Sequence, residues 1–96
     1  MAQADGVHNN PDKNRFEAAI PAGTAVCEYM KVGNTLIFTH TEVPEALEGQ
    51  GIGGALAKAG LEYVREHDFT TAPLCPFVKA YIQRHPEYKP LVKMGG

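Results

Sequence analysis

The 96 residues predict one α/β domain of the α+β kind: an antiparallel three-strand meander followed by helix, strand and helix. Three observations predict it. Alternating apolar and β-branched runs fill residues 15–43 and are separated by tight-turn signals. A run with apolar residues at helical spacing follows, from about Gly53 to His67. Between them lies Glu48–Ala55, Glu-Gly-Gln-Gly-Ile-Gly-Gly-Ala, a turn crowded with four glycines.

Residues 1–14 combine Asp, Gly, Asn-Asn-Pro and Asp-Lys without periodicity, so a flexible lead-in is expected before a domain at 15–92 and a flexible tail at 93–96. Phe16, Ala18 and Ile20 alternate with Arg15, Glu17 and Ala19 as a first strand, and Pro21-Ala22-Gly23 turns the chain. Thr24–Lys31 has apolar residues on both faces, as a central strand does. Gly33-Asn34 signals a hairpin into Thr35–Val43, which ends at Pro44. In the helix, Ile52, Leu56, Ala59, Gly60, Tyr63 and Val64 share one face; Lys58, Glu62, Arg65 and Glu66 take the other. Asp68 ends it, and Thr70–Leu74 reads as a fourth strand. Pro76 suits the first position of a second helix, on which Phe77, Ala80, Tyr81 and Arg84 share a face and which Pro86 stops. Glu87–Gly96 is expected to be irregular, with Leu91 and Val92 extended.

Composition narrows the function. A net charge of −2 gives no basic footprint for nucleic acid or a membrane surface, and no apolar run reaches the ~20 residues of a membrane span. The polar N-terminus is not signal-like, and two cysteines, Cys27 and Cys75, are too few for a disulfide scaffold, so a reduced cytoplasmic setting is expected. The chain has no serine, which excludes a serine nucleophile. Its four histidines lack metal-ligand spacing, and no metal is expected.

The glycine turn carries the strongest chemical signal. Glycines allow positive φ and close backbone approach, and a helix that starts there presents unpaired N–H groups and a positive dipole end, which suits phosphate. Gly49, Gly51 and Gly54 satisfy G-x-G-x-x-G, but a meander is not the parallel βαβ unit that a dinucleotide fold requires. Ala55-Leu56 stands where a Walker A loop needs Lys-Ser/Thr. Gln50, Gly53 and Ala55 instead meet Gln/Arg-x-x-Gly-x-Gly/Ala after a strand ending Thr-Glu-Val-Pro. With Cys75-Pro76-Phe77 and His85-Pro86-Glu87-Tyr88, this resembles the GNAT N-acetyltransferase superfamily, in particular its small single-domain members, from about Arg15 to Val92.

The resemblance implies a minimal GNAT-like fold with a splayed central sheet, acetyl-CoA or CoA as cofactor, and transfer of acetyl to an amine: a protein lysine, an α-amine or a small molecule. Backbone groups of Thr41, Glu42 and Val43 would pair with the pantetheine amides as an added strand. The pyrophosphate would rest on Gly49, Gln50, Gly51, Ile52, Gly53, Gly54 and Ala55. The chain lacks the two helices that usually follow the first strand in larger members, which implies an open acceptor side. Tyr81 matches the tyrosine that protonates the departing thiolate; packing beside Phe77 explains it equally well. Cys75, before Pro76 at a helix N-terminus, reads either as a reactive thiolate or acyl carrier, or as a small buried hydrophobe. Glu42 and His40 are candidate bases sharing one strand face, and that face is free to point away from the cleft. A CoA-binding module without catalysis and a protein-interaction domain stand as alternatives, and the oligomeric state is open.

Overall fold

The computed structural model describes residues 7–20, 23–45, 49 and 51–93. The turn residues Pro21 and Ala22, the loop residues Glu48 and Gln50, and both chain ends lie outside the described residues. The elements run β1 (Val7–Asn10), β2 (Arg15–Ile20), β3 (Gly23–Val32), β4 (Thr35–Glu42), α1 (Ile52–Glu66), β5 (Thr70–Pro73), α2 (Pro76–Arg84) and a 3-10 helix over Pro86–Leu91. The five strands form one sheet in sequence order, antiparallel from β1 to β4 and parallel between β4 and β5. The α+β architecture is that predicted, with β3 central.

Two predicted segments are corrected. Residues 7–10 are not lead-in but β1, paired with β2 from Val7↔Ala18 to Asn10↔Arg15. Pro11–Asn14 is the hairpin turn, with Asn14 at φ +54° and its carbonyl accepting from the Tyr29 N–H at 2.9 Å. Beside Val7 packed against the core, the strand holds through polar contacts that periodicity does not register. Tyr29 Oη donates to Asn9 Oδ1 at 2.7 Å, and Glu17 accepts from Asn10 Nδ2 at 3.1 Å and from Arg15 Nε. The tail is also more ordered than expected. Pro86–Leu91 forms the 3-10 helix, Val92 bridges to Thr71, and Tyr88 is buried with its hydroxyl donating to Glu62 at 2.7 Å.

One face of the sheet supplies the core. Phe16, Ala18, Ala25, Cys27, Tyr29, Leu36 and Phe38 cluster with Leu56, Ala57, Leu61 and Val64 of α1 and with Val78, Tyr81 and Ile82 of α2. Gly60 lets α1 approach closely: a Cβ there would lie 2.7 Å from the Phe38 ring. α1 ends in a Schellman arrangement, with Asp68 at φ +57°, its N–H bonded to the Arg65 carbonyl and the Phe69 N–H to that of Val64. The next strand is thereby turned back alongside β4. No helix among the described residues is long and apolar enough to cross a membrane.

Candidate cofactor cleft

The cleft begins where β4 and β5 part. Their register runs from Thr35↔Thr70 to Phe38↔Pro73, and the Cys75 N–H makes a last bond to the Phe38 carbonyl at 2.9 Å. Beyond this point β5 gives way to α2 while β4 continues to Glu42, still paired to β3 through Cys27↔Thr41 and Val26↔Glu42. Among the described residues, the edge of β4 that faces away from β3 therefore has no strand partner from Thr39 onward.

A bulge sets which side chains enter the gap. Tyr29 pairs with Phe38 and Glu28 with His40, so Thr39 is an extra residue on β4. It shifts the alternation by one. The core face that carries Leu36 and Phe38 continues with Thr41 and Val43, which line the cleft. His40 and Glu42 go to the opposite face, where their side chains lie 3.7 Å apart and more than half exposed.

The glycine loop and α1 close the other wall. Gly49 and Gly51 have φ +86° and +79°, the left-handed region open to glycine at no steric cost. Gly51 is the N-cap and has no side chain to bond the helix. The first helical bond runs from the Ala55 N–H to the Gly51 carbonyl, so the N–H groups of Ile52, Gly53 and Gly54 have no partner within the helix. The first turn holds no acidic residue. These donors border a cleft of about 500 Å³ lined by Thr41, Val43, Gly49, Gly51–Gly54, Phe77, Tyr81 and Arg84. Open donors, the positive dipole end and a first turn without carboxylates fit a diphosphate, and the free β4 edge fits an amide-bearing arm.

A sequence model of the GCN5-related N-acetyl-transferase family matches residues 15–91. The chain belongs to this family. It is similar to the proteins named Protein NATD1 from chicken (Gallus gallus) and human (Homo sapiens), each 40% identical over 63 residues, which are 65% of this chain and 57% and 56% of theirs. The zebrafish (Danio rerio) Protein NATD1 is 39% identical over 67 residues, 67% of this chain and 61% of that one. The chain thus spans less than two thirds of the length of these relatives. The solution NMR structure of a GCN5-like protein from Staphylococcus aureus has the same fold, with a TM-score of 0.71 and 27% identity over 91% of this chain and 86% of the other.

In this GCN5-related chain the remaining candidates separate by position. Tyr81 lies in the cleft wall, 8% exposed, with its ring stacked on His85 at 4.1 Å between centroids. Burial pushes its phenol above the ordinary 10, and its hydroxyl has no hydrogen-bond partner among the described residues. Cys75 is the N-cap of α2, 3% exposed and behind the cleft lining. Its sulfur is 3.3 Å from the Thr41 hydroxyl, which also donates to Cys27 Sγ at 3.5 Å. Burial raises the Cys27 thiol to about 11, which keeps it protonated at neutral pH. Ala55 lies in α1 outside the cleft lining, and Gln50 is outside the described residues. Arg84 joins Phe77 and Tyr81 in the lining, at i+7 from the first and i+3 from the second on α2, the helical spacing that places all three on one face.

Proposed function

We propose that the chain is an acetyl-CoA-dependent N-acetyltransferase acting on an amine acceptor. One observation carries the reading: the unpaired β4 edge after the Thr39 bulge and the uncapped, carboxylate-free start of α1 border a single cleft. Acetyl-CoA, when bound, supplies an activated acetyl thioester. The N–H groups of Ile52, Gly53 and Gly54, with the glycine loop from Gly49 to Gly51, hold the diphosphate. The backbone of Thr41, Glu42 and Val43 aligns the pantetheine arm along β4, and an N–H near Val43 polarises the acyl carbonyl. A neutral acceptor nitrogen would bond to the acyl carbon and release its proton to water as the carbon–sulfur bond breaks. Tyr81 Oη would give a proton to sulfur and regain one from solvent. Its raised pKa keeps that proton available at neutral pH.

A second reading, CoA binding without efficient turnover, is favoured by one feature. Among the described residues lining the cleft none is a carboxylate or an imidazole, so no base there accepts the proton of an ammonium acceptor. Glu42 and His40, on the far face of β4, are not assigned this task. Incubating the protein with acetyl-CoA and a panel of protein lysines, α-amines and small amines, and reading both free thiol and acetylated amine, separates the two. Thiol release matched by acetylated amine is the expected result; cofactor binding without either product would leave the second reading.

A further inference from the structure

Phe77, Tyr81 and Arg84 lie at i, i+4 and i+7 along α2, and all three line the cleft. The first two have neighbours that explain their positions. Phe77 covers Gly53, where a Cβ would come within 2.7 Å of its ring, and Tyr81 stands over Gly54 and stacks on His85. Arg84 has no such partner. It makes no ion pair or hydrogen bond with the described residues, and it is the one charged side chain among the described residues lining the cleft. Its bland role would be to offset the carbonyl end of α2, in whose last turn it sits. That role asks nothing of the cleft, whereas Arg84 forms part of a wall whose opposite side is a row of open N–H donors.

We propose that Arg84 is a specificity-determining residue for the phosphoryl end of the cofactor, its guanidinium binding phosphate oxygens of the nucleotide portion. The inference rests on the cofactor reading above and deepens it. Backbone N–H groups at the start of α1 recognise an anion but do not distinguish how many phosphates the ligand carries. A guanidinium on the facing helix adds a forked pair of donors to phosphate oxygens, which an ammonium presents only as a point charge. Two sites on CoA have this chemistry, the diphosphate and the phosphate on the ribose.

The test is calorimetric titration of the full chain and of Arg84→Gln and Arg84→Lys with CoA and with dephospho-CoA, at low and high salt. Thermal melts check that each variant is folded; the exposed side chain makes this the expected result. Arg84→Gln should weaken CoA binding roughly tenfold to hundredfold, with Arg84→Lys between the two, and should flatten the salt dependence. A loss confined to CoA, with dephospho-CoA unaffected, supports the inference and assigns Arg84 to the ribose phosphate. An equal loss for both ligands also supports it and assigns Arg84 to the diphosphate. Unchanged affinity in Arg84→Gln overturns this inference and leaves the cofactor reading intact. Absence of CoA binding by the parent chain overturns both.

Discussion

At the scale of single residues, Tyr81 and Cys75 are neighbours of the same cleft with different exposure to it, and their substitutions should behave differently. Tyr81 lines the cleft and keeps its proton through burial, so its folded-state pKa lies above 10. A raised pKa means that the phenol is fully protonated below the ordinary value and loses its proton only at higher pH. Turnover that depends on it should therefore persist to pH 10 and fall above that. Tyr81→Phe should reduce transfer by roughly 10²–10⁴-fold, the range of general acid catalysis, with CoA affinity retained. Cys75 is buried behind the lining and bonded to Thr41. Were it an acyl carrier, Cys75→Ala would abolish turnover at unchanged CoA affinity. Its position instead predicts that turnover is retained with reduced thermal stability. Retained transfer in Tyr81→Phe would remove the proton donor from the account.

At the scale of elements, what the sequence conveyed depended on whether an element is held by apolar burial. Phe16 and Ala18 in β2, Ala25, Val26, Cys27 and Tyr29 in β3, and Leu56, Gly60 and Val64 in α1 are buried where their periodicity places them, whereas Met30, expected to face inward on a central strand, is 54% exposed. β1 is not of this kind. Its sequence is Val-His-Asn-Asn; beside Val7 packed against the core, its order comes from Asn9 against Tyr29 and Asn10 against Glu17, contacts 20 and 7 residues apart that no local pattern shows. The Thr39 bulge is equally silent in sequence, yet it decides that Thr41 and Val43, rather than His40 and Glu42, face the cleft. Nor did the face of α2 bearing Phe77, Tyr81 and Arg84 declare itself as a cleft wall, since half-exposed and buried aromatics have the same spacing. Gly60 gives a test of the α1 contact. Alanine there gains ~1 kcal/mol in helix propensity, but its Cβ meets the fully buried Phe38 ring at 2.7 Å. Overpacking of this kind costs about 1–3 kcal/mol. Gly60→Ala should therefore lower the melting temperature, by the order of 5 °C for a domain of this size. A higher melting temperature would mean that α1 has room to move off the sheet.

At the scale of the molecule, the fold places both helices on one face of a five-strand sheet and parts the sheet at a single point. The radius of gyration is 12.5 Å, that of a compact domain of this length, so the cleft is a feature of the packed unit. Among the described residues no helix covers the opposite sheet face, and Met30 and Val32 of β3 are more than half exposed there. The central claim is that the start of α1 is an anion site built for the cofactor, and Gly54→Glu tests it with little confusion from folding. A Cβ at Gly54 would meet the Tyr81 ring at an ordinary 3.6 Å. A glycine is removed from a helix, and a carboxylate is added where the dipole favours one, so stability should hold or rise. The first measurement is calorimetric titration of the parent and of Gly54→Glu with acetyl-CoA, CoA and NAD. The account predicts that the parent binds both CoA species and not NAD, and that Gly54→Glu, folded and at least as stable, binds neither. Equal CoA affinity in parent and variant, or none in the parent, would contradict it.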